Sequence, residues 1–143
     1  MAGSTSLKRF LDAQEQDYPV ALAEIKAGRK RSHWMWYIFP QIQGLGFSTT
    51  SRYYAIKDLA EAQQYLADPV LGIRLIEISQ ELMKLGSDNA TTIFGSPDDL
   101  KLKSCMTLFA SLAHTVPVFD GVLKKFFKGE KDLQTLKIIK PGP

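Results

Sequence analysis

Cysteine is nearly absent from this chain: Cys105 stands alone among 143 residues. An internal disulfide is thereby excluded, and the usage suits a reducing compartment, so a cytoplasmic location is expected. Histidine is almost as scarce. His33 and His114 are far apart, and neither has a second His or Cys at ligand spacing, so no metal site and no resident cofactor is expected. No run is long and apolar enough to span a bilayer, and the polar start through Ser6 lacks the regions of a signal peptide. No membrane association is expected. The chain also lacks a Walker ending, a dinucleotide fingerprint and a Gly-x-Ser-x-Gly elbow. Period-two alternation, hairpin turns and internal repeats are missing too, which argues against β architectures and solenoids. Charge is not strongly one-sided. Eighteen basic residues against fifteen acidic ones (Lys+Arg 18, Asp+Glu 15) leave a net +3, compatible with an anionic ligand but weak support for nucleic-acid binding.

What is present is enough apolar residue, 45%, to bury one sizeable core. The pattern predicts a mainly α, single compact domain of about six or seven helices packed around an irregular aromatic insert. Residues 1–5 read as a loose tail, 6–139 as the domain and 140–143 as a frayed end. Ser6 caps a short helix carrying Leu7, Phe10 and Leu11, and Asp17-Tyr18-Pro19 opens a second that stops at Gly28. Ser48 to Ser51 offers caps for the next segment, and a helix follows from Asp58 to about Ala67. Leu71, Leu75, Ile78, Leu82 and Leu85 recur at helical spacing and predict a long central helix. Ser96-Pro97-Asp98-Asp99 is a helix start, with a buried stripe of Leu102, Cys105, Met106, Phe109, Leu112 and Ala113 behind it. Val118, Val122, Leu123, Phe126 and Phe127 mark the last strong amphipathic helix, and 130–139 a weaker one.

The stretch from Arg31 to Ser48 is unlike the rest. Both tryptophans, Trp34 and Trp36, lie there with His33, a Pro40-Gln41 turn and the pair Gly44 and Gly46. Stiff apolar rings beside polar donors are the material of a binding pocket. Arg29-Lys30-Arg31 brings positive charge suited to phosphate, and the glycines allow close backbone approach to a ligand. Asp99 opens the later helix and Lys103 follows one turn on. A carboxylate can activate water, and a lysine of lowered pKa can attack a sugar aldehyde, so these two are the candidate catalytic groups.

Three segments carry a resemblance over most of the chain: Lys30-Arg-Ser-His-Trp-Met-Trp-Tyr-Ile-Phe-Pro-Gln-Ile-Gln-Gly-Leu-Gly46, Ser51-Arg-Tyr-Tyr-Ala-Ile56, and Asp98-Asp-Leu-Lys-Leu-Lys-Ser-Cys-Met-Thr-Leu-Phe109. They resemble a small family of uncharacterised proteins labelled a calpastatin-like domain of unknown function. That likeness implies a compact, mainly helical fold. Ser51-Arg-Tyr-Tyr-Ala55 and the later Lys103-Ser-Cys-Met106 are also similar to the NADAR (YbiA-like) superfamily. This second likeness implies a link to NAD and ADP-ribose derivatives and to cleavage of N-glycosidic bonds. Where that superfamily reads Ser-Glu-His-Tyr-x-x-Ala, with a functionally important glutamate, this chain has Arg52. Arginine cannot act as a base at neutral pH, but it favours phosphate.

Two readings follow. In the first, a nucleotide or ADP-ribose-type small molecule binds: Trp34, Trp36 or Tyr54 stacks on a base, and Arg31, His33 or Arg52 meets phosphate. Gln41 then hydrogen-bonds base or ribose, and Gly44, Gly46 and Ser51 complete the site. As an enzyme it would hydrolyse an N-glycosidic bond with Asp99 or Lys103. In the second, the aromatic and basic stretch is a non-catalytic surface for a protein or single-stranded nucleic acid. Oligomeric state is not read from the sequence.

Overall fold

The computed structural model describes residues 2–139, with side chains from Leu7 onward; the expected frayed end at 140–143 lies outside the described residues. Nine helices and no strand are assigned among the described residues. The mainly α architecture expected from the sequence forms. The helix count is higher because three of the helices are little more than single turns: Met35–Ile38 (α2), Thr49–Tyr53 (α3) and Ala90–Phe94 (α6).

The first helix, α1, runs from Ala2 to Lys26 and passes through Pro19 without a break, where the sequence reading expects two helices. It begins within the stretch read as a tail. Leu7, Phe10, Gln14, Tyr18, Ala21 and Ile25 make one buried stripe at three- and four-residue spacing. Proline inside a helix costs about 3 kcal/mol. Burying Tyr18 and Ile25 on either side returns about 1.5–3 kcal/mol for each such side chain, and Pro19 itself is exposed. Tertiary burial therefore overrides the local break.

Leu59–Ala67 (α4) and Leu71–Lys84 (α5) pack on α1 and on each other. Asp58 caps α4 by accepting the Glu61 N–H at 2.9 Å. The deepest helix is Asp98–Ala110 (α7), ringed by α4, α6, Pro117–Phe127 (α8) and Leu133–Ile139 (α9). Ser104, Cys105, Met106, Thr107, Leu108 and Phe109 are buried in succession. The sequence reading makes α5 central, because α5 has the cleaner apolar face. From Ser104 to Phe109 the helix is covered all round and has no polar face, so the apolar stripe alone does not mark how deep this part lies. Ala113, expected in the buried stripe, is exposed because α7 has already ended at Ala110.

The buried hydroxyls of α7 are satisfied, as buried polar groups must be. The Thr107 hydroxyl donates to the Lys103 carbonyl at 2.8 Å and accepts the Asp132 N–H at 2.9 Å. The Asp132 carboxylate accepts from the hydroxyls of Ser104, at 3.0 Å, and Thr135, at 2.5 Å. These bonds fasten α9 to α7 and carry its far end, at Ile138, to the loop around Gly44.

Candidate functional site

The aromatic segment splits its side chains between core and rim. Trp34, Met35, Ile38 and Phe39 go inward, while Trp36 and Tyr37 stay half-buried. Trp34 is 1% exposed and lies 6.1 Å from the Phe39 ring and 6.5 Å from Phe94. Its indole N–H donates to Glu24 Oε1 at 2.9 Å. The same carboxylate accepts the Arg31 N–H, the Ser32 N–H and the Ser32 hydroxyl. Burial pushes the Glu24 carboxyl up, but these four donors outweigh it and hold it at about 2. One acid on α1 thus fixes the path of the whole basic–aromatic entry. From the other side, the Gln14 amide donates to the Tyr37 carbonyl at 2.7 Å, and the Tyr37 hydroxyl donates to the Asp17 carboxylate.

After Phe39 the chain turns back on itself. Ile42 and Ile56 form an isolated parallel bridge, with Ile56 N–H to the Gln41 carbonyl at 2.8 Å and Gln43 N–H to the Ile56 carbonyl at 2.7 Å. Between the two bridged residues the loop 43–48 arches over to α3, which Ser48 caps by accepting the Ser51 N–H. Gly44 has φ +109°, a conformation that side-chain-bearing residues rarely adopt. A Cβ on Gly46 would stand 2.5 Å from Ser51 Oγ, so only glycine lets the loop lie this close to α3.

The arch and α2 enclose a cleft lined by Trp36, Gln41, Gly44, Gly46, Ser51, Arg52 and Tyr54, together with Ile42, Gln43, Leu45 and Ala55. Its cavity volume is about 20 Å³, so it is a slot. Gln41 is 8% exposed, and its Nε2 has no hydrogen-bond partner. A buried amide donor left unpaired costs about 1–3 kcal/mol. No carboxylate is among the lining residues. Tyr54 packs 5.0 Å from Tyr37 and 4.8 Å from Tyr53. Burial first, then the nearby Tyr53, Asp17 and Asp12 charges, raise its phenol, which keeps it a neutral donor.

Two groups of charges hold the walls. Arg9 on α1 donates to the Tyr53 and Ala55 carbonyls, both at 2.8 Å, and to the buried Glu61 carboxylate at 2.9 Å. Glu61 also accepts the Lys57 N–H at 2.8 Å, so the 53–57 wall is tied to both α1 and α4. At Trp36, Lys101 Nζ stands 4.1 Å from the ring centroid and 2.9 Å from Asp98, which also pairs with Lys30 at 2.9 Å. Burial raises the Asp98 carboxyl, and the two lysines more than offset it, leaving it below its ordinary value.

Seven of the sequence-derived candidates therefore line one cleft: Trp36, Gln41, Gly44, Gly46, Ser51, Arg52 and Tyr54. Five do not line it. Trp34 is core, and Arg31 and His33 are exposed on the loop leading to α2. Asp99 accepts the Thr91 hydroxyl at 2.6 Å, in a separate hollow with Asp88 and Lys125. Lys103 lies 5.9 Å from the Phe127 ring, beside Glu130 and Asp132. The start of α7 meets the aromatic segment through Asp98 and Lys101 instead. Arg9, Glu24 and Ile42 are absent from the sequence reading of the site, since their roles arise from contacts across the fold. Only the unusual density of aromatics at 34–39 hints that something must brace them. Among the described residues no three His, Cys, Asp or Glu side chains group as a metal site would require, and no helix is long and apolar enough to cross a membrane.

With this geometry in place, the chain can be set beside known proteins. No curated protein matches it. The crystal structure, at 1.38 Å, of the conserved hypothetical protein Rv1873 from Mycobacterium tuberculosis is similar, with 43% identity and a TM-score of 0.92. The match covers 95% of this chain and 97% of that one. The family model described as "Protein of unknown function (DUF1810)" matches residues 4–139. The chain belongs to that family of proteins of unknown function.

Proposed function

We propose that this protein binds a nucleotide or ADP-ribose-type small molecule in the Trp36–Gln41–Tyr54 cleft. The observation that carries the reading is the Gln41 amide, buried in an aromatic slot with its Nε2 donor unmatched. Such a group has a cost in the free protein that a ligand acceptor removes on binding. Trp36 supplies a ring for stacking, and Arg52 stands exposed at the rim for phosphate. The resemblance of Ser51-Arg-Tyr-Tyr-Ala55 to the NADAR superfamily points the same way. Asp99 and Lys103 lie elsewhere, the cleft has no carboxylate, and Arg52 stands where that superfamily has its glutamate, so the reading is binding without hydrolysis. A slot this narrow requires the 43–48 loop to swing outward for a full nucleotide.

The test is thermal unfolding with a panel of nucleosides, nucleotides and ADP-ribose, on the wild type and on Gln41→Leu. A ligand at a hundred times its Kd adds about 2.7 kcal/mol, or about 8 °C in Tm for a domain of this size. Gln41→Leu is expected to leave the apo Tm unchanged or raised by a degree or two, since it deletes an unpaired buried donor. The same change should abolish the ligand shift. A panel without any shift at millimolar ligand ends the proposal.

A second reading has one observation in its favour. Phe47 is 80% exposed, and Tyr53 is also exposed, on either side of Arg52 in the fold's surface segment. A macromolecular partner would rest on these rings, since Trp34 is core; Phe47→Ala would then weaken that contact and spare the nucleotide response.

A further inference from the structure

The loop beside the cleft carries backbone donors that no other group among the described residues takes up. The N–H groups of Gly44, Leu45 and Gly46 make no hydrogen bond among the described residues, although the neighbouring Gln43 N–H is paired with Ile56. Gly44 is exposed and Leu45 and Gly46 are half-buried, so these amides are open to solvent and to an incoming acceptor; successive backbone N–H groups of a loop offer positive potential to an anion. A Cβ on Gly44 would meet Ile138 and one on Gly46 would meet Ser51, so the two glycines let the loop lie close against α9 and α3. Arg52 adds a full positive charge at the rim, and the buried Gln41 Nε2 is a further unpaired donor in the same slot. The cleft is thus rich in donors and has no carboxylate among its lining residues. Acceptor-rich anions fit such a surface, and a phosphate group offers at least three acceptor oxygens.

We propose that the Gly44–Leu45–Gly46 amides and the Arg52 guanidinium form a phosphate subsite of the cleft, separate from the basic loop at Arg29–His33. The proposal rests on the nucleotide reading, and it assigns the phosphate end of the ligand to the loop and the base or ribose end to Gln41 and Trp36. Arg31 and His33, which look like the phosphate ligands in the sequence, then have no part in this site.

The experiment uses the full chain labelled with nitrogen-15 and titrates inorganic phosphate, AMP and adenosine in turn. Phosphate and AMP are expected to move the Gly44, Leu45 and Gly46 amide signals. Adenosine should move the Gln41 side-chain amide and the Trp36 indole signal and leave the loop amides in place. Arg52→Met should weaken phosphate binding by about tenfold, with Arg52→Lys between it and the wild type, because loss of one charge-assisted contact at a rim is of that order. Added salt should weaken the phosphate response. If phosphate leaves the loop amides unmoved, or moves Arg29–His33 instead, the subsite is overturned. If phosphate moves the loop but neither AMP nor adenosine reaches Gln41, the subsite stands and the nucleotide reading falls. If adenosine moves Gln41 and Trp36 while neither phosphate nor AMP moves the loop, the subsite falls and the nucleotide reading stands.

Discussion

Replacing Glu24 should loosen the basic–aromatic entry more than any other single change on α1. Its carboxylate accepts four hydrogen bonds: the Arg31 N–H at 2.7 Å, the Ser32 N–H at 3.0 Å, the Ser32 hydroxyl at 2.5 Å and the Trp34 indole at 2.9 Å. Water can replace it at Arg31, which is exposed. Trp34 is buried, so Glu24→Ala strands an indole donor at about 1–3 kcal/mol, and the half-buried Ser32 adds about 1 kcal/mol. The expected loss at neutral pH is about 3 kcal/mol. Glu24→Gln keeps an acceptor oxygen and should lose about 1 kcal/mol. The pH dependence follows from the lowered carboxyl. Burial raises it, the four donors outweigh burial, and it sits at about 2 in the fold against an ordinary 4.5. A depressed folded value means the stabilisation is complete above about 4.5 and is lost as pH falls through about 2. Urea unfolding followed by far-UV circular dichroism, at neutral pH and at steps down to the acid limit, measures this. The gap between wild type and Glu24→Gln should close across that window. A Glu24→Ala protein within 0.5 kcal/mol of wild type, roughly the range of an ordinary surface change, would refute the reasoning, and so would a gap that stays constant into acid.

Two further changes probe the walls of the cleft. Arg9→Met removes the Arg9–Glu61 ion pair and the bonds to the Tyr53 and Ala55 carbonyls and should destabilise by about 3 kcal/mol; hydrogen exchange at the Ile56 amide should quicken, and an unchanged rate would count against Arg9 as the tie of the 53–57 wall. Gly46→Ala drives a Cβ to within 2.5 Å of Ser51 Oγ, so it should cost about 1–3 kcal/mol and remove the nucleotide and phosphate responses, read by chemical denaturation and by the titrations above.

Helix ends and apolar faces were readable because they are local. Ser48 accepts the N–H bond its position suggests, and Leu71, Leu75, Ile78 and Leu82 are buried as their spacing implies. Pro19 misleads because its penalty is local, whereas the stripe from Leu7 to Ile25 is held by tertiary burial. The centrality of α7 is hidden for a related reason: Ser104 and Thr107 are buried beside its apolar stripe, where periodicity alone expects an outward polar face. At the cleft, chemical type was informative and distance was not. Trp36, Gln41 and Arg52 converge because the Ile42–Ile56 bridge joins segments fourteen residues apart, which no local pattern announces. Arg31 and Asp99 carry suitable charges, but the fold directs them elsewhere.

The opposed settings of the two indoles give the protein a pair of built-in optical channels. Trp34 is sealed in the core and bonded to a carboxylate, so its emission reports whether the core is intact. Trp36 stands at the mouth of the slot with an ammonium 4.1 Å from its ring, so its emission colour and its accessibility to a soluble quencher follow the slot itself. Silencing the first with phenylalanine would leave a single-tryptophan protein whose light comes from the place where a ligand would arrive.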